Sequence, residues 1–146
     1  MHIHEGIEST LTLIRHQLKK RIRVIKQFGD IPEIECHPNQ LNQVFMNVLV
    51  NAAQAIKERG EITVKTWRED ESINISIADN GVGIPAENLS KIFDPGFTTK
   101  GVGVGTGLGL SICYKIIHDH HGTIEAESSP RGTTFTISLP IEAKSK

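Results

Sequence analysis

The stretch "PNQLNQVFMNVLVNAAQAIKERG", residues 38–60, is the longest part of the chain with one repeating pattern. Leu41, Val44, Phe45, Val48, Leu49, Ala52, Ala55 and Ile56 recur every three or four positions, which predicts a helix with one side in a core. Pro38 suits the first helical position and Gly60 predicts the stop. Opposite the apolar arc stand Gln43, Asn47, Asn51 and Gln54, with no charged residue among them until Lys57 and Glu58. A solvated face ordinarily uses Lys and Glu, and asparagine is a mediocre helix former. These carboxamides are therefore either kept for hydrogen bonds to a ligand or form a plain polar face.

The segments around this helix alternate in type. Residues 9–20 carry Leu11, Ile14 and Leu18 at helical spacing, and residues 21–28 place Ile22, Val24 and Phe28 on one strand face. After the long helix, "EITVKTWR" and "SINISIAD" alternate with period two around a polar connection and predict a strand pair. A short helix is expected over 85–93 and a longer one over 106–121, stopped by Gly122. "TIEAES" and "TTFTISLP", joined by the turn "SSPRG", predict two closing strands. No repeat or linker interrupts the series, so residues 1–146 are read as one domain.

Composition narrows the possible functions. A formal net charge of −1 provides no global basic field for nucleic acid, although residues 15–26 are locally basic. Cys36 and Cys113 are too few and too far apart for a zinc knuckle or a disulfide scaffold, and both are expected to be reduced and buried, in a cytoplasmic protein. No apolar run approaches the roughly eighteen residues of a membrane span. His118, His120 and His121 end the second long helix, where polar groups satisfy carbonyls, and are read as structural.

Six glycines fall between Gly96 and Gly109. A P-loop is excluded, because Val102 and Gly103 stand where its lysine and hydroxyl belong. Gly81, Gly83 and Ala86 meet a dinucleotide fingerprint, but no acidic residue follows at the required distance and no parallel strand follows directly. What remains is a glycine-rich loop ending at a helix start, a place where free backbone N–H groups and the helix dipole favour a phosphate.

Together "NQVFMNVLVNAAQAI", "DNGVGIP", "IFDPGFTTK", "GVGTGLGLSI" and "GTTFTI" resemble the ordered N, G1, F and G2 boxes of the ATP-binding catalytic domain of bacterial sensor histidine kinases. These belong to the superfamily that includes DNA gyrase B, the large heat-shock chaperones and the MutL repair proteins. The likeness is greatest to kinases of the nitrogen-regulator sensor type. It implies an α/β (α+β) fold, a two-layer sandwich with a mixed sheet and helices on one face, of the Bergerat ATP-binding type.

By this resemblance Asn51 is the magnesium ligand and Asn47 supports the nucleotide from the preceding turn. Asp79 accepts the adenine amino proton, while Gly81, Gly83 and Ile84 pass under the base. Lys100 neutralises the terminal phosphates from a lid that includes Phe97 and Thr99 and is anchored with Phe93. Gly103, Gly105, Thr106, Gly107, Leu108 and Gly109 wrap the phosphates. Thr133 or Thr134 joins the adenine site through a hydroxyl or a bridging water. Asn47, Asn51 and Lys100 form the implied catalytic set, with ATP and Mg2+ as cofactors.

In the gyrase and chaperone branch a glutamate one turn before the magnesium asparagine activates water. Here that position is Asn47, which cannot act as a general base, so slow hydrolysis is expected. The implied activity is transfer of the γ-phosphoryl to a histidine on a dimerisation domain, and from there to a response regulator. His4-Glu5 is followed by Gly6-Ile7 and not by the family's phosphoacceptor motif, so the acceptor is expected on a separate domain and the isolated chain is expected to be monomeric. Gly96 replaces an aromatic residue usual in the lid, and Gln54 stands where some relatives have a basic phosphate contact. An anti-sigma-type serine kinase and a non-catalytic ATP-sensing module are the alternatives.

Overall fold

The computed structural model describes residues 1–94 and 109–142. Its elements in chain order are α1 (Ile3–Leu13), α2 (Arg15–Leu18), β1 (Ile22–Phe28), α3 (Pro38–Ala55), β2 (Gly60–Glu69), β3 (Ser72–Asp79), α4 (Ala86–Leu89), α5 (Gly109–Asp119), β4 (Thr123–Ser129) and β5 (Gly132–Pro140). The strands form one mixed sheet in the order β1-β2-β3-β5-β4. Only β1 and β2 are parallel, because α3 carries the chain back across the sheet between them.

The period-two patterns of the strands place one row of side chains under the helices. Ile62 and Val64 of β2, Ile73, Ile75 and Ile77 of β3, and Phe135, Ile137 and Leu139 of β5 are all buried. The alternate residues, among them Lys65, Ser76, Thr136 and Ser138, are exposed or half-buried on the opposite face. Over the apolar row lies α3, whose Leu41, Val44, Phe45, Val48, Leu49, Ala52 and Ala53 are buried, with α1 and α5 packed on its flanks. The result is two layers with helices on one face of the sheet.

Several boundaries differ from the sequence reading. The first helix begins at Ile3 and not at residue 9, and it breaks at Ile14 before the short α2. Ile3 and Ile7 extend the apolar stripe, but the polar His4-Glu5 pair between them and the buried Gly6 at the crossing with Phe45 obscure its period. Helix α3 ends at Ala55 and not at Gly60, because its last carbonyls already have partners. Arg21 donates from Nη1 to the Ile56 carbonyl at 2.8 Å and from Nη2 to Ala53 at 3.4 Å, while the Val82 N–H bonds Ala55 at 3.1 Å. Gly60 instead opens β2. The short helix α4 covers only 86–89, with single turns after it.

Helix α5 ends in a Schellman motif in which His121, at φ 63°, takes the left-handed position usually given to glycine. The Gly122 N–H reaches the Ile117 carbonyl at 2.9 Å and the His121 N–H reaches His118 at 2.9 Å. Next to this turn, His120 donates from Nδ1 to the Ile116 carbonyl at 2.8 Å and accepts the His37 N–H at Nε2 at 3.1 Å. Since His37 is the N-cap residue of α3, this ring joins the end of α5 to the start of α3. Both cysteines are free thiols; Cys113 is buried as expected, whereas Cys36 is only half-buried. No helix among the described residues is long and apolar enough to cross a membrane.

Phe45 has no exposed surface and sits where α1 meets α3. Phe45→Ala is expected to lower the unfolding free energy by about 3–5 kcal/mol, read from urea denaturation midpoints at unchanged slope.

Candidate functional site

The last residue of β3 is Asp79, a carboxylate that the strand's alternation turns toward the helix layer, where it is only 8% exposed. Its Oδ1 accepts the Gly81 N–H at 2.8 Å, an Asx-type turn, and the Thr133 backbone N–H also donates to the group. Burial pushes the carboxyl pKa above its ordinary value of 3.8, and these two backbone bonds oppose that rise without cancelling it.

The chain after Asp79 runs through a narrow passage. A Cβ at Gly81 would lie 2.4 Å from the Ala55 carbonyl oxygen at the end of α3, so only glycine lets the loop bond that helix end. On the other side Gly132 has φ 140°, and a Cβ there would lie 1.9 Å from the Asp79 carbonyl oxygen. The β3–β5 register, with Asp79 opposite Thr133, depends on this approach. Gly83 and Ile84 are held in turn by β4: the Ile84 N–H donates to Ser128 Oγ at 2.6 Å, and that oxygen lies 2.9 Å from Thr133 Oγ1.

Helix α3 supplies the second part of the site. Asn47, Asn51 and Ala55 follow one another at four-residue intervals and form a stripe along one side of the helix. At one end Asn47 Nδ2 donates to the carbonyl of Gly109, the first residue of α5, at 3.0 Å. At the other end Ala55 bonds Val82. Half-buried Asn51 stands between them, and the stripe spans roughly 12 Å at the usual helical rise. Beside Asn47, burial pushes the Cys113 thiol up to about 12, which keeps it protonated and inert.

The carboxamide face read from the sequence therefore divides: Asn47 and Asn51 are half-buried, while Gln43 and Gln54 are exposed. Phe93 packs against Phe135 at 6.3 Å and Tyr114 at 5.8 Å between ring centroids, linking the chain before residue 95 to the core and to α5. Thr133 and Thr134 are also separated. Thr133 is buried on the same face as Asp79, and strand alternation turns half-buried Thr134 to the opposite face, away from the cluster. Phe97, Thr99, Lys100, Gly103, Gly105, Thr106, Gly107 and Leu108 lie outside the described residues.

Sequence reasoning passed over Ser128, Asn80 and Gly132. Asn80 Oδ1 accepts the Glu61 N–H at 2.8 Å and fixes the loop's entry to β2. The only signal for Ser128 was a hydroxyl in the turn before "GTTF".

Residues 36–143 match the family model described as "Histidine kinase-, DNA gyrase B-, and HSP90-like ATPase". The chain is 43% identical over 139 residues to the signal transduction histidine-protein kinase AtoS of Escherichia coli (strain K12), covering 92% of this chain and 22% of that protein. It is 36% identical over 157 residues to the sensory histidine kinase/phosphatase NtrB of Azospirillum brasilense, covering 97% of this chain and 39% of the relative. It thus spans less than half the length of either. The solved catalytic domain of histidine kinase ThkA superposes with a TM-score of 0.88 at 33% identity, covering 98% of this chain and 95% of that one. A second ThkA structure, in complex with the response regulator protein TrrA, gives 0.84 at 30% identity, covering 100% of this chain and 42% of that one.

The raised pKa of Asp79 has a consequence for stability. Between its ordinary value of 3.8 and its higher folded value, the folded state holds the proton that the unfolded state has released, so Asp79 lowers stability as pH rises through that window. Asp79→Asn removes this titration. The unfolding free energy of the variant minus that of the unmodified protein is expected to increase from pH 3 to pH 7, measured by urea denaturation at each pH.

Proposed function

This chain belongs to the family of histidine kinase-, DNA gyrase B- and HSP90-like ATPases, as the ATP-binding catalytic domain of a sensor histidine kinase, and we propose that it transfers the γ-phosphoryl of ATP to a histidine on a separate dimerisation domain. The observation that carries the site assignment is the buried Asp79 carboxylate, held by the Gly81 and Thr133 N–H groups at the end of β3.

Asp79 accepts a hydrogen bond from the adenine amino N–H, a charge-assisted bond that guanine, with a carbonyl at that position, cannot supply. Gly81, Gly83 and Ile84 present backbone beneath the base, with Thr133 beside Asp79. From the same helix that closes this pocket, Asn51 offers a carboxamide oxygen, the hard donor that magnesium takes once its remaining ligands come from water and phosphates. Magnesium, when bound, neutralises phosphate charge. Lys100 contributes a further positive charge, and Gly103, Gly105, Thr106, Gly107, Leu108 and Gly109 offer backbone N–H groups toward the phosphates ahead of α5.

Asn47 shapes the outcome by what it lacks. A carboxamide takes no proton from water, and its Nδ2 is engaged with the Gly109 carbonyl at 3.0 Å. Phosphoryl transfer relies on positioning and charge neutralisation, so the domain retains what transfer needs while this helix position offers no base for hydrolysis. A response regulator is the downstream partner in this reading, supported by the relative ThkA having been crystallised with one.

The test is incubation with Mg·[γ-32P]ATP and, separately, a histidine-bearing dimerisation domain from a relative and a serine-bearing substrate protein. Acid-labile, base-stable label on the first is the expected product, and Asn51→Ala is expected to slow its formation roughly 100-fold or more. Acid-stable label on serine, or transfer by Asn51→Ala at the unmodified rate, would contradict the proposal.

A further inference from the structure

We propose that Ser128 is a positioning residue for base recognition: its hydroxyl turns Thr133 into a hydrogen-bond donor toward the adenine ring. The inference rests on the reading of Asp79 as the adenine site and deepens it. Ser128 lies on β4 opposite Thr133 of β5, and Thr133 lies opposite Asp79 of β3, so the three residues form one row across the sheet.

A serine hydroxyl has one proton to give and two lone pairs to offer. One lone pair of Ser128 Oγ is taken by the Ile84 N–H at 2.6 Å. Its proton has two neighbours, Thr133 Oγ1 at 2.9 Å and the Gly132 carbonyl at 3.3 Å. Hydroxyl hydrogen bonds centre near 2.7–2.8 Å and seldom exceed about 3.0 Å, which assigns the proton to Thr133. Thr133 then accepts from Ser128 and keeps its own proton to donate. The reverse assignment would leave Ser128 only the long contact to Gly132.

The chemistry of the base matches a donor at this place. Next to the adenine amino group stands N1, an acceptor, whereas N1 of guanine carries a hydrogen. A Thr133 hydroxyl that donates, directly or through one water, favours the first and opposes the second. Asp79 and Thr133 together thus read both edge atoms that distinguish the two purines, and Ser128 sets the direction of the second contact. The same serine holds the Ile84 N–H, so a single side chain ties the loop under the base to the hydroxyl beside it.

The test compares ATP with 1-deaza-ATP, in which a C–H replaces N1, by calorimetric titration of Ser128→Ala, Thr133→Val and the double variant. Ser128→Ala is expected to weaken ATP about 3- to 10-fold more than it weakens 1-deaza-ATP, the worth of one neutral hydrogen bond, with any loss common to both reporting the Ile84 contact. Adding Ser128→Ala to Thr133→Val is expected to cause only the loss that Ser128→Ala causes for 1-deaza-ATP, and Ser128→Thr, which keeps the hydroxyl, is expected to retain ATP binding. Equal loss for both nucleotides would show that Ser128 only supports the loop, and no loss for ATP would overturn the inference outright. Failure of the unmodified domain to bind ATP would instead overturn the adenine-site reading itself, and this inference with it.

Discussion

A carboxylate buried without a cation is the constraint on which this molecule is arranged. Among the described residues no Lys or Arg forms an ion pair with Asp79, yet it is almost fully covered. Burying an uncompensated charge is costly, and here the compensation comes from backbone N–H groups. Those groups reach the carboxylate only because the chain turns sharply after β3 and β5 approaches closely beside it. Both moves need a missing side chain, at Gly81 against the end of α3 and at Gly132 against the Asp79 carbonyl. The β3–β5 register, the stop of α3 at Ala55 and the placement of the β4–β5 turn are therefore linked to one charged group.

The same arrangement relates fold to function. Helix α3 is a core element on its apolar side and a measuring rod on its other side, with Ala55 held to the loop after β3 and Asn47 held to the first residue of α5. Asn51 lies midway, one turn from each. A helix buried against sheet, α1 and α5 keeps that spacing fixed, so the two ends of the candidate site are held by one rigid body. In the proposed function, a carboxamide at position 47 in place of a general base directs this rigidity to delivery of a phosphoryl group more than to its loss to water.

Much of this was legible because burial on one face leaves a periodic trace. Six of the seven buried positions of α3, all but Ala53, and the alternating strands β2, β3 and β5 stand out in the sequence, and their order gives the two-layer fold. The start of α1 did not, since His4, Glu5 and Gly6 interrupt its apolar stripe. Nor did the stop of α3, which Arg21 and Val82 cap from elsewhere in the chain. At the candidate site, Asp79, Gly81 and Asn51 were singled out through their motif neighbours, whereas Ser128 is brought beside Thr133 by a cross-strand pairing that no local pattern encodes. Strand alternation, together with the β3–β5 register, puts Thr133 and not Thr134 on the face of Asp79.

The most direct test of the account is calorimetric titration of Mg·ATP and Mg·GTP into the unmodified domain and into Asp79→Asn. If the buried carboxylate selects adenine, the unmodified domain binds ATP and not GTP, and the variant, still folded by circular dichroism, loses ATP affinity by at least about 10-fold. Undiminished ATP binding by the variant, or equal binding of the two nucleotides by the unmodified domain, would contradict it.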